Sequence, residues 1–116
     1  MFVGVCRLAL SLPGVSSLKE KRSIVRKVVD RTRGRFNVAV AEVEALDVHQ
    51  RAVIGFAVLA NEAAHCDRMV EEIASFVERL KVAPIEWRKT QRLSVGDSAE
   101  VSGDPLGDWG AFEDAS

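Results

Sequence analysis

Apolar and polar positions change their period several times along the chain, and each change marks an element. Over residues 2–12 they alternate, with Cys6, Leu8, Leu10 and Leu12 on one face and Val5, Arg7, Ala9 and Ser11 on the other, the period of two of a half-buried strand. Pro13-Gly14 ends that strand, because proline has no ladder donor and glycine accepts turn dihedrals. A helical spacing follows: Leu18, Ile24, Val25, Val28, Val29 and Thr32 form a stripe behind Ser17-Leu18-Lys19-Glu20, a capping box in which the Ser17 hydroxyl accepts from the Glu20 amide while Glu20 reaches back. Gly34 is the expected stop, in a left-handed conformation.

Two runs rich in Val, Ile and Phe, residues 37–45 and 50–61, are read as strands joined in a hairpin through the polar segment around Asp47 and His49. In the second run Ala52, Ile54, Phe56 and Val58 share one face, and Val53, Gly55, Ala57 and Leu59 the other. Both faces are apolar, so the outer one needs a cover. Residues 63–81 return to helical spacing, with Met69, Ile73, Phe76, Val77 and Leu80 as the buried stripe, and residues 85–95 alternate as a fourth strand. The order βαββαβ, with two helices covering one face of a four-stranded antiparallel sheet, predicts an α+β ferredoxin-like two-layer sandwich with strand order 4-1-3-2.

Charge changes the picture more than composition does. At 116 residues and 47% apolar content the chain has material for one core. The formal net charge is −1, yet residues 17–36 hold eight of the sixteen cations against Glu20 and Asp30, a local +6. Residues 97–116 hold six acids and no Lys or Arg. Subtracting that −6 from −1 leaves +5 on residues 1–96. The domain reading is therefore a basic folded unit, 1–96, followed by an acidic, glycine-containing flexible tail, 97–116. That tail carries Trp109 and Phe112 and could lie over the basic helix in competition with phosphates. No run approaches the roughly 18 apolar residues of a membrane span, and the N-terminal stretch alternates like a strand, so a cytoplasmic protein that engages no membrane is expected. Cys6 and Cys66 lack C-x-x-C spacing and are read as buried thiols.

Enzymatic chemistry finds little support in the residues. There is no phosphate-binding glycine loop, no G-x-S-x-G, no histidine pair at metal-ligand spacing, and no tyrosine. Glu42, Glu44, Asp47 and His49 gather near the hairpin, where acids at a strand end are usually solvated. The expectation is a non-enzyme, with no cofactor, no metal and no catalytic residue. Gly55-Phe56-Ala57 and Phe2 echo the aromatic positions of RNA-recognition motifs, but alternation puts Phe56 with Ile54 and Val58 on the core face, so base stacking on this sheet is not expected.

The string LPGVSSLKEKRSIVRKVVDRTRGRFNVAVAEVEALDVHQRAVIGFAVLAN closely resembles the YlxP-like family of small bacterial proteins of uncharacterised function. Its hallmark is S-L-K-E-K-R after the first strand, then R-F-N-V-[SA]-V-A-E-V and Q-R-A, here Ser17 to Arg22, Arg35 to Asn37, Glu42, Gln50 and Arg51. The likeness covers roughly residues 1–95. It implies a ferredoxin-like fold and a gene setting often beside translation factors and ribosome-binding factor A. The family usually has an aromatic before Q-R-A, where this chain has His49.

Together these features favour a binding domain associated with ribosomal RNA or the ribosome, gripping phosphates through Lys19, Lys21, Arg22, Arg26, Arg33, Arg35 and Arg51. The alternative is a protein-protein module or homodimer that pairs through the apolar outer sheet face.

Overall fold

The computed structural model describes residues 1–96, so the expected tail, 97–116, lies outside the described residues. The elements follow the expected order: β1 Phe2–Ser11, α1 Leu18–Arg35, β2 Ala39–Glu44, β3 Arg51–Ala60, α2 Ala63–Arg79 and β4 Ile85–Ser94. The four strands form one antiparallel sheet in the order β2-β3-β1-β4, which read from the other edge is 4-1-3-2. The fold is ferredoxin-like α+β.

Register shows which residues enter the core. Cys6 stands opposite Phe56, Leu8 opposite Ile54 and Leu10 opposite Ala52, and all six are buried. Gly4, on the same face, lets α2 come close: a Cβ there would sit 2.5 Å from Val70 Cγ2 and 2.8 Å from Cys66 Sγ. The centre of the α2 contact is therefore made by Cys66, Val70, Ile73, Ala74 and Val77. Met69, Phe76 and Leu80, expected in the buried stripe, flank it as partly buried side chains. The rotation has a simple cause, since small residues fit where helix and sheet approach most closely. Phe76 turns instead toward Phe36, their rings meeting edge to face at 5.2 Å.

Two irregularities set the outer face. Register shifts between Glu42 and Glu44 on β2 and between Ala9 and Leu10 opposite β4. Through the second, Ile85 pairs with Leu10 and Trp87 with Ala9, so these two side chains fall on opposite faces of the sheet rather than sharing one as simple alternation predicts. Gly34 also differs from expectation. The helix runs through it to Arg35 and ends at Phe36, whose extended backbone (φ −129°) donates its N–H to the Thr32 carbonyl at 2.9 Å. Glycine accepts helical dihedrals too, and the helix stops only at Phe36, whose partly buried ring packs against Phe76.

Among the described residues no helix is long and apolar enough to cross a membrane.

Candidate nucleic-acid interface

Helix α1 starts at Ser17, extended at φ −150°, whose Oγ accepts from the Glu20 amide at 3.2 Å. Glu20 reaches back one residue further than the capping box predicts, accepting from the amide and the hydroxyl of Ser16, both at 3.3 Å. A rigid start to the helix fixes the rotation of everything behind it. The residues turned to the core are Lys21, Val25, Val28 and Thr32.

Lys21 corrects the expected phosphate-binding set. It is 1% exposed and among the largest fully buried side chains of the domain. Its Nζ donates to the carbonyls of Val48 at 2.6 Å, Ala45 at 2.7 Å and Arg51 at 3.1 Å, and lies 2.7 Å from Glu42 Oε2. Glu42 follows Val40 on the inward face of β2, opposite Ile54. Its Oε2 is buried and makes no aligned hydrogen bond, so the Lys21 charge is what offsets its desolvation. This ammonium ties the β2–β3 loop to the helix, including Ala45, which holds a left-handed φ of 59° without being glycine. A side chain so enclosed cannot reach a phosphate.

The other predicted cations fall into two groups. Lys19, Arg22 and Arg26 lie exposed on the outer side of α1, in one row at helical spacing, and Lys27, Arg31 and Arg35 form a second exposed row beside it. Arg35 also stands 5.7 Å from the Phe36 ring, a cation–π contact. Arg33 is exposed but bends toward the edge of β2, donating to the Val40 carbonyl at 3.2 Å. Arg51 opens β3 and pairs with Glu86 at 2.9 Å, half of its side chain staying exposed. Lys27 and Arg31, absent from the predicted set, belong with Arg22 and Arg26. Their signal was their four-residue spacing in the row that ends at Arg35.

Electrostatically the outer face of α1 differs from the arginines of the strands. Arg7 pairs with Glu44, Arg88 with Glu71 and Glu78, and Arg92 with Asp67. Among the described residues none of Lys19, Arg22, Arg26, Lys27, Arg31 or Arg35 lies within ion-pair distance of an acid. Like charges four residues apart, as in Arg22/Arg26, Lys27/Arg31 and Arg31/Arg35, each cost a helix about 0.2–0.5 kcal/mol. An anion laid along these rows relieves that repulsion.

The acids and histidines offer no comparable arrangement. Glu42 is committed to Lys21 and Glu44 to Arg7. Among the described residues no three His, Cys, Asp or Glu side chains are grouped to hold a metal ion. Cys6 and Cys66 are free and buried, and burial pushes the Cys6 thiol up to about 11 and the Cys66 thiol up as well.

Comparison with known proteins fits this architecture. Residues 3–89 match the family model described as "Protein of unknown function (DUF503)". The chain belongs to the DUF503 family. Within it, the chain is similar to the "Uncharacterized protein YlxP" of Bacillus subtilis (strain 168), with 24% identity over 76 residues, covering 66% of this chain and 83% of the relative. The YlxP-like resemblance seen in the hallmark residues is thereby shown. Among solved structures, the de novo designed protein Foldit4 superposes with a TM-score of 0.50 at 12% identity, over 80% of this chain and 96% of its own. The designed protein LFR1 1 with ferredoxin fold gives 0.46 at 15% identity, over 84% and 90%. At such identities Foldit4 speaks to the fold alone.

Proposed function

We propose that this DUF503 domain is a non-enzymatic RNA-binding module that associates with ribosomal RNA through the outer face of α1. The observation carrying this reading is the pair of exposed cation rows, Lys19-Arg22-Arg26 and Lys27-Arg31-Arg35, without acidic partners among the described residues. Eighteen helical residues span about 27 Å at 1.5 Å each, long enough for a track of phosphates rather than a single anion. Contacts of this kind position a partner without reading its sequence. The gene setting implied by the YlxP-like resemblance agrees with a ribosomal partner.

The test is fluorescence anisotropy of the full chain with ribosomal RNA across a salt series. Six cations neutralising six phosphates give log K against log salt a slope of about −4 to −5. The double substitution Arg22→Glu/Arg26→Glu should weaken binding at least tenfold and flatten the slope by about 1.5, with the fold retained. Failure to bind at low salt, or binding with no salt slope, refutes the reading. Charge reversal at Lys21 is unsuitable, because it would report unfolding.

The second reading, an interaction module using the outer sheet face, is favoured by Leu59 and Val43, which are 64% and 47% exposed. Light scattering of the full chain checks the homodimer form of it: a monomer at high concentration excludes stable pairing through this face.

A further inference from the structure

The acids of α2 do not share one environment. Asp67, Glu71 and Glu78 pair with arginines of β4, whereas Glu72 is in no ion pair among the described residues. It lines a cavity of about 450 Å³ between α2, the start of β2 and the end of β3. Phe36, Leu59 and Met69 give that cavity an apolar wall, and Asn37 and His65 line it beside Glu72. Among the described residues none of these three polar side chains makes a hydrogen bond to the protein. An apolar cleft with a few uncommitted polar groups, within the roughly 300–1,000 Å³ of small-molecule sites, is the usual form of a ligand pocket. No Lys or Arg lines it.

These residues select the ligand. An ionised carboxylate only accepts hydrogen bonds, and with no cation in the cleft its match is a neutral pair of N–H donors on an apolar, planar body. Guanine presents that pair on its Watson–Crick edge, N1–H beside the N2 amino group. Adenine and cytosine set a ring-nitrogen acceptor beside their amino group, and uracil flanks its N3–H with two carbonyls, so each brings an acceptor against the carboxylate. The Asn37 carboxamide supplies a donor for guanine O6. A phosphate has its place too. Arg35, last of the exposed row Lys27-Arg31-Arg35, stands 5.7 Å from the ring of Phe36, which lines the cleft. Charge therefore changes sign across Phe36, with a cation outside for the phosphate and a carboxylate inside for the base.

We propose that this cleft binds the guanine base of a nucleotide, Glu72 accepting from N1–H and the N2 amino group, Asn37 donating to O6 and Arg35 holding the 5′-phosphate. The nucleotide is either an unpaired guanosine of RNA, a form that rests on the RNA reading of α1, or a free guanine nucleotide. In RNA, the cleft would add to the phosphate grip of α1 the base readout that phosphate contacts lack.

Amide shifts of the isotope-labelled full chain, titrated separately with GMP, AMP, CMP and UMP, measure it. GMP should move Asn37, Leu59, His65 and Met69 and bind about tenfold tighter than the others. IMP, which lacks the N2 amino group, should lose most of that preference. Glu72→Gln, at an exposed position, should abolish the preference with the fold retained, and Arg35→Gln should weaken GMP more than guanosine. Equal shifts by all the nucleotides, shifts confined to α1, or none at these residues overturn the proposal, whether or not ribosomal RNA binds. Tighter binding of a pentauridylate carrying one central guanosine than of pentauridylate itself, by about tenfold, assigns the site to RNA. GMP binding in the cleft without binding of ribosomal RNA assigns it to the free nucleotide and refutes the RNA reading alone.

Discussion

The arginines of the strands and the cations on the outer face of α1 are chemically alike and electrostatically opposite. Every strand arginine has an acid beside it: Arg7 has Glu44, Arg51 has Glu86, Arg88 has Glu71 and Glu78, and Arg92 has Asp67. The outer rows of α1 have none among the described residues. Lys21 makes a third case, sunk beneath the same helix and saturated by carbonyls and Glu42. A density of positive charge in a stretch of sequence is thus a sum over different situations. What separates them is where the fold places the acids.

Measurements can break this comparison, and the largest effect belongs to Lys21. Lys21→Met should lower unfolding stability by about 3–5 kcal/mol, the cost of leaving a buried charge unpartnered, read as a fall in the urea midpoint. Lys21→Met/Glu42→Leu should recover part of the loss only, since the carbonyls of Ala45, Val48 and Arg51 still lack their donor. If Lys21→Met is as mild as Arg22→Met, the inner and outer cations of α1 do not differ as described.

Packing sharpens the same contrast between inner and outer surfaces. Gly4→Ala drives a methyl into Val70 and Cys66 and should cost about 1–3 kcal/mol. Gly34→Ala meets nothing within 4 Å, lies inside the helix, and should stabilise by about 0.5–1 kcal/mol. Equal destabilisation by both would argue against the close approach of α2 to β1.

Smaller effects follow for the exposed charges. Arg88→Ala, which removes a partly exposed ion-paired arginine, should cost less than about 1 kcal/mol and less still at high salt. Arg26→Gln should change stability by no more than about 0.5 kcal/mol while weakening the proposed RNA binding, so stability and affinity should separate on the outer face and not at Lys21.

The smallest effect at neutral pH comes from the thiols. Burial keeps the Cys6 proton in the folded state up to about pH 11, above the ordinary thiol value of 9.0 shown when unfolded. The folded state then binds more protons in that interval, so this contribution to stability falls as pH rises from about 9 toward 11 and is flat below. Cys6→Ala should lack this slope, and both native thiols should stay inert to a disulfide reagent at pH 8 until denaturant is added.

Much of the fold was legible from one-dimensional pattern. A period of two in residues 2–12 and 50–61, a period of 3.6 in residues 17–36 and 63–81, and the Ser17 cap suffice for βαββαβ, because a strand or helix must turn its apolar face to a core whatever the rest of the chain does. The hallmark residues likewise sufficed for the family. Lys21 was legible in principle, standing four, seven and eleven residues before Val25, Val28 and Thr32 on the buried line. Its charge argued for the surface, and only the presence of Glu42 and three loop carbonyls across the layer reverses that.

The rest belonged to tertiary structure. The bulge that sends Ile85 and Trp87 to opposite faces, the helix end at Phe36 rather than Gly34, and the pairing of Arg51 with Glu86 all depend on residues distant in sequence meeting in space. Local pattern determined which elements form and which side of each is apolar. Whether a given cation is buried, paired or left facing solvent was decided only when the sheet and helices closed, since ion pairing and desolvation depend on distances of a few ångströms that no local period encodes.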